Sequence, residues 1–190
     1  MTVTSKRVEQ LQEQAARTRE KLLEVARGAF AESSDVSLNS IAKIAGVGIG
    51  TVYRHFPSRE DLVFAVYRDE VQQLCDTAAE LLAANEPIIA FRVWLDRLAQ
   101  YAMTKAGLVD ALRTSGGHAR FASDAYGPVV EAIGVLLTAN ERAGTLQAGV
   151  TPDDVILAVA GLYQLDPAGD WQPQAARLLD FVVAGMTPRG

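Results

Sequence analysis

Thr51, Tyr53, Arg54 and His55 crowd five consecutive positions, and Lys43 and Arg59 stand nearby. A hydroxyl, a phenol and an imidazole can donate to phosphate oxygens, and an arginine fork matches the O6 and N7 acceptors of guanine. From Val36 to Arg59 there is not one aspartate or glutamate, although the whole chain has a net charge of −5. Residues 1–60 hold nine basic and seven acidic side chains, so the net −7 lies in the remainder. An acid-free window in an acidic protein suits a surface that faces phosphate.

The same inventory argues against bond-making chemistry. Two histidines and one cysteine, none at motif spacing, supply no nucleophile–base pair and no metal-ligand set. The chain is expected not to be an enzyme and to need no cofactor or metal. Cys75 reads as a small buried hydrophobe. Gly46, Gly48 and Gly50 resemble a phosphate-cradling loop only superficially. No strand precedes them, and Thr51 stands where the last glycine of such a loop belongs.

The elements that position these residues follow from periodicity. A chain of 190 residues can bury one core, or one core and a small satellite. It is alanine- and leucine-rich and shows no sustained two-residue alternation, so an all-α fold is expected. Residues 1–16 are polar and read as a flexible arm. Leu22, Leu23, Ala26, Ala29 and Phe30 share one face of a helix over 17–32, with Arg17, Arg19 and Lys21 at its start.

Ser37 caps a short helix from Leu38 to Ala45, and Gly46 sits where a left-handed residue ends it. A second short helix runs from Gly48 or Ile49 to His55, stopped by Phe56-Pro57. Ala42, Gly46 and Val52 occupy the contact, turn and inner-face positions that two steeply crossing helices require. The spacing is that of a helix-turn-helix. Gly48, Ile49, Gly50, Thr51, Tyr53, Arg54 and His55 then form the outer face of its second helix.

A long helix starts at Ser58, with Asp61 as a capping partner, and carries Val63, Tyr67, Val71, Leu74, Ala78 and Leu81 on one stripe. After Pro87 a helix carries Phe91, Trp94, Leu95, Leu98, Tyr101 and Ala102. Further helices are expected over 107–113, from Tyr126-Gly127-Pro128 to Ala143 with Gly144 as the stop, over 151–165 with Thr151 as cap, and over 172–186. No stretch is apolar for the length a membrane span needs, which points to a cytoplasmic protein.

The run IAKIAGVGIGTVYRHFPSREDLVFAVY resembles the DNA-binding signature of the TetR family of transcriptional regulators, whose heart is IA..AGVS.GT.Y.HF.SKE.L. Ile41, Ala42, Ala45, Gly46, Val47, Gly50, Thr51, Tyr53, His55, Phe56, Ser58, Glu60 and Leu62 stand at matching positions. Gly48 departs from the common serine, and Arg59 from the common lysine. The Gly48 form resembles the SbtR-like branch of the family.

The resemblance implies about nine helices in all: an N-terminal three-helix DNA-binding domain over 17–57, joined by the long helix to a helical ligand-binding and dimerisation domain over 58–187. It implies a homodimer on a near-palindromic operator, consistent with the need of a small helix-turn-helix for two half-sites. It also implies a repressor released by a small-molecule effector. DNA contacts are expected from Arg17, Ser37, Lys43, Gly48, Ile49, Gly50, Thr51, Tyr53, Arg54, His55 and Arg59. Phe91, Trp94, Leu98, Tyr101, Leu112, Phe121, Tyr126, Ile133 and Tyr163 are the expected ligand-cavity residues. Val155, Val159, Leu162, Ala176, Leu179 and Val183 are the expected dimer face. The competing expectation is a helical protein-interaction module that has lost DNA binding, for which the missing serine at Gly48 is the hint.

Overall fold

The computed structural model describes residues 3–33, 35–114 and 118–188, with side chains placed throughout except at 3–5 and 105–125. The described residues form eight α-helices and one 3-10 turn, with no strand. The chain divides into two compact units, Met1–Glu70 and Val71–Gly190.

The first unit contains α1 (Val3–Glu32), α2 (Leu38–Ala45), α3 (Ile49–His55) and the start of α4 (Arg59–Ala84). Its core joins Leu22, Leu23, Ala26 and Ala29 of α1 to Leu38, Ile41, Ala42 and Ala45 of α2. Val52, Phe56, Leu62, Ala65 and Val66 complete it. A seven-residue helix cannot persist alone in water, so α3 exists because Val52 and Phe56 are buried here.

The turn between α2 and α3 is set by Gly46, at φ 67°. The Gly46 amide donates to the Lys43 carbonyl at 3.2 Å, and the Val47 amide to the Ala42 carbonyl at 3.0 Å. These two bonds close the helix in the Schellman pattern. A methyl group on Gly46 would meet nothing within 4 Å, so replacing it costs backbone strain alone. Gly46→Ala is expected to destabilise the first unit by about 1–2 kcal/mol, read as a lower urea midpoint for its unfolding.

Residues 3–16, expected as a flexible arm, continue α1 as helix. Residues 6–17 are exposed, and glutamine, glutamate, alanine and leucine are good helix formers that extend an already nucleated helix.

The second unit holds the remainder of α4, then α5 (Pro87–Thr114), α6 (His118–Ala143), α7 (Pro152–Val159), a 3-10 turn (Ala160–Gln164) and α8 (Gln172–Met186). Buried Phe91, Trp94, Leu95, Ile133, Leu136, Val155 and Leu179 form its core. Three differences from the sequence expectation have local causes. The helix expected over 107–113 is the end of α5, because one internal glycine weakens a helix by about 1 kcal/mol without ending it. Pro128, expected to open a helix, lies inside α6, where it removes a single backbone donor. The helix expected to reach residue 165 changes to 3-10 at Ala160, next to Gly161.

Polar clamps fix the second unit. Asn140, fully buried, donates to the carbonyls of Pro87 at 2.9 Å and Leu136 at 2.8 Å, and its Oδ1 is 2.8 Å from the Thr145 hydroxyl. It ties the end of α6 to the start of α5. Arg92 donates to Asp180 at 2.9 Å and to the Ala176 carbonyl at 3.2 Å, pinning α5 to α8. Thr151 and Asp154 form a reciprocal capping box at the start of α7, and the hydrogen bonds from Thr151 hold the Asp154 carboxyl below its usual range. Burial, and then the Asp76 and Glu131 carboxylates, push the Cys75 thiol up to about 11, which keeps it protonated and inert.

Candidate nucleic-acid interface

The placement of side chains around α3 follows from 100° per residue. With Val52 fully buried, Gly50 and Arg54 fall on the opposite side, and both are exposed. Arg54 lies back along the helix, its Nε donating to the Gly50 carbonyl at 3.4 Å. Tyr53 is 51% exposed and shares its edge with Ile49. Thr51 and His55, on the other edge, are half-buried, and the His55 ring is tilted against Phe56 at 6.2 Å. The outward face therefore centres on Arg54, with a glycine beside it and a phenol flanking it.

Gly48 takes the N-cap position of α3 and offers no side-chain oxygen to it. A methyl group on Gly48 or Gly50 would meet nothing within 4 Å. Internal packing thus requires neither glycine. Close approach of an external surface would use both.

The other expected contact residues lie on α1, α2 and α4 and at the cap of α2. Lys43 is exposed in the last turn of α2, where the helix dipole favours a cation. Ser37 is exposed, but its hydroxyl oxygen accepts from the Ser40 amide at 3.2 Å and caps α2. Arg17 is exposed on α1. Arg59 is half-buried, donates from Nε to the Val36 carbonyl at 3.1 Å, and stacks 5.4 Å from the Phe30 ring centre. Arg19 lies over Phe56 at 5.3 Å. Sequence reasoning did not find these two stacks, because pairs 29 and 37 residues apart leave no periodic trace.

The expected ligand-cavity residues separate in the structure. Phe91, Trp94 and Ile133 are fully buried, and the Trp94 indole donates to the Leu74 carbonyl at 3.1 Å. Leu98 and Tyr101 are half-buried. Tyr126 is exposed, with its hydroxyl bonded to Asp153, and Tyr163 is 61% exposed on the 3-10 turn. These two do not lie with the buried set. Leu112 and Phe121 fall outside the described side chains.

The residues expected at the dimer face differ in burial within the single chain. Val155, Val159, Leu162 and Leu179 point into the protomer's own core, and Ala176 and Val183 are half-buried. The apolar stripe of an amphipathic helix packs first against its own chain. The opposite sides of α7, the 3-10 turn and α8 instead expose Leu157 at 74%, Tyr163 and Phe181 at 72%. A groove of about 560 Å³ runs between Asp154 and Ala158 on one side and Phe181, Val182 and Gly185 on the other.

A short helix crossing a second over a left-handed glycine, with an exposed, acid-free outer face, places this unit among helix-turn-helix DNA-binding proteins. Residues 22–66 match the family described as bacterial regulatory proteins, tetR family, and residues 86–188 match the C-terminal domain of SbtR-like transcriptional regulators. A crystal structure of a TetR transcriptional regulator from Streptomyces coelicolor is 40% identical, with a TM-score of 0.72 over 90% of this chain and 99% of that one. A TetR transcription regulatory protein from Mycobacterium vanbaalenii is 37% identical, with a TM-score of 0.70 over 94% and 99%. An HTH-type transcriptional regulator of Staphylococcus aureus is 27% identical over 61% of this chain, a match that spans 64% of that relative's length. The chain belongs to the TetR family of transcriptional regulators, and its C-terminal domain is of the SbtR-like type.

Proposed function

We propose that this protein is a dimeric, sequence-specific DNA-binding repressor, released from a near-palindromic operator by a small-molecule effector. The observation that carries the reading is the exposed outer face of α3, where Arg54 and Tyr53 project beside Gly50 within a stretch, Val36 to Arg59, that holds no acidic residue. Arg54 reads a base edge in the major groove. Tyr53, Thr51, Lys43, Arg17 and Ser37 address the backbone, and Gly48 and Gly50 admit it closely. Such a protein works in the cytoplasm beside the DNA and performs no catalysis. No described helix is long and apolar enough to cross a membrane.

The regulatory coupling uses α4, whose residues 59–70 belong to the first unit and 71–84 to the second. An effector held by the second unit, near Phe91, Leu98, Tyr101 and Ile133, needs only to bind the DNA-incompatible state more tightly.

Selection of bound duplexes from a pool with a randomised 20-base-pair core, followed by anisotropy across salt concentrations, tests the reading. A two-fold-symmetric consensus with salt-sensitive binding is expected. No enrichment over random sequence would leave the protein-interaction module as the better description.

The second copy packs against the outward face that carries Leu157, Tyr163 and Phe181. Ala158, Gly161, Ala184 and Gly185 allow helices to approach closely there. Leu157→Glu with Phe181→Glu is expected to yield a folded monomer, read by analytical ultracentrifugation with unchanged circular dichroism. Loss of the second half-site should weaken operator binding at least 100-fold, on the order of a half-site's share of specific affinity.

A further inference from the structure

The cation at the start of α4 is placed where a phosphate contact would be sought, yet its surroundings describe a different task. Arg59 is the first residue of α4, the positive end of the helix dipole, where a cation is unfavourable. Glu60 and Asp61 follow it in the first turn. Two further features compensate the guanidinium: the Val36 carbonyl accepts from its Nε at 3.1 Å, and the face of Phe30 lies 5.4 Å from its central carbon.

These partners come from two other segments. Phe30 is in the last turn of α1 and packs on the core of the first unit. Val36 lies in the connector immediately before Ser37, the cap of α2. One half-buried side chain thus joins the end of α1, the entry to α2 and the start of α4. The helix pair that presents Tyr53 and Arg54 is framed by those segments.

We propose that Arg59 is a positioning residue for DNA recognition, which sets the α2–α3 pair against α1 and α4 through Val36 and Phe30 and does not spend its charge on a phosphate. Withdrawing the side chain from this position would uncover the Phe30 ring and break the bond from Nε to Val36. The inference rests on the DNA-binding reading above.

The test compares the unaltered protein with Arg59→Gln, Arg59→Lys and Phe30→Leu on the duplex that the unaltered protein selects. Measurements are made where denaturation curves show every variant fully folded, so that lost stability alone cannot lower affinity. A positioning role predicts roughly tenfold weaker binding for Arg59→Gln, with the slope of log affinity against log salt unchanged. Phe30→Leu, which alters no charge, should weaken binding similarly, and the double variant should be no weaker than the worse single one. Arg59→Lys should recover binding only in part, because an ammonium cannot hold the fork and stacking geometry together. In the DNA-free protein, Arg59→Gln should speed amide exchange in α2 and α3 about tenfold.

A salt slope reduced by about one per subunit in Arg59→Gln, with Phe30→Leu unaffected, overturns the inference and makes Arg59 a phosphate contact. Unchanged affinity in Arg59→Gln overturns it as well. Absence of selective binding by the unaltered protein overturns the DNA-binding reading and this inference with it.

Discussion

Replacing Tyr53 and Arg54 together with alanine is expected to lower operator affinity by roughly 10²–10⁴-fold. A lost base-edge contact costs about 1–3 kcal/mol, and a dimer loses it in both half-sites. The fold should not register the change. Both side chains are exposed, and surface substitutions of this kind usually stay within about 0.5 kcal/mol. The check is anisotropy at one fixed salt concentration beside thermal unfolding. The salt slope adds a second reading, because it should fall only to the extent that these residues neutralise phosphate. Unaltered affinity in a folded double variant would remove α3 from the interface.

Asn140→Ala is expected to be among the most destabilising single changes away from the apolar core, at about 2–3 kcal/mol. The side chain is fully buried, spends both amide protons on the carbonyls of Pro87 and Leu136, and faces the Thr145 hydroxyl. Its loss leaves the Pro87 carbonyl and the half-buried Thr145 hydroxyl each with one partner fewer, and a small void. Urea unfolding of the second unit should show a lower midpoint at constant slope. Asn140→Asp should be worse at neutral pH, because the introduced carboxylate would be desolvated. Burial raises its folded pKa above the unfolded value near 3.9, so folding favours the protonated form. The added penalty grows as pH rises through and above that unfolded value, and shrinks as pH falls towards it.

Legibility in the sequence followed the range of the interaction. Ser37, Gly46, Ser58, Gly144 and Thr151 act within a few residues of their partners, and each stands at the helix end where the residue pattern places it. Val52 and Phe56 were readable as inner-face residues because α3 obeys one period. Asn140 to Pro87, Arg92 to Asp180 and Arg59 to Val36 and Phe30 join positions far apart in the chain, and no local pattern announces them. The apolar residues of α7 and α8 are a related case. Val155 and Leu179 satisfy the helical stripe, but a stripe does not say whether it faces its own core or a second copy. The large apolar side chains left exposed, Leu157 and Phe181, lie off that stripe.

The three glycines at 46, 48 and 50 divide the helix-turn-helix into a fixed part and a writable part. Gly46 is bound to its left-handed backbone. Gly48 and Gly50 have ordinary backbone angles and open space where a side chain would begin. A serine at 48 would add an N-cap oxygen, and alanine at 50 would favour the helix by up to about 1 kcal/mol. Folding therefore leaves these two positions free to vary. They are the natural sites at which to randomise the protein and redirect it to new operators, since the fold demands a glycine at neither.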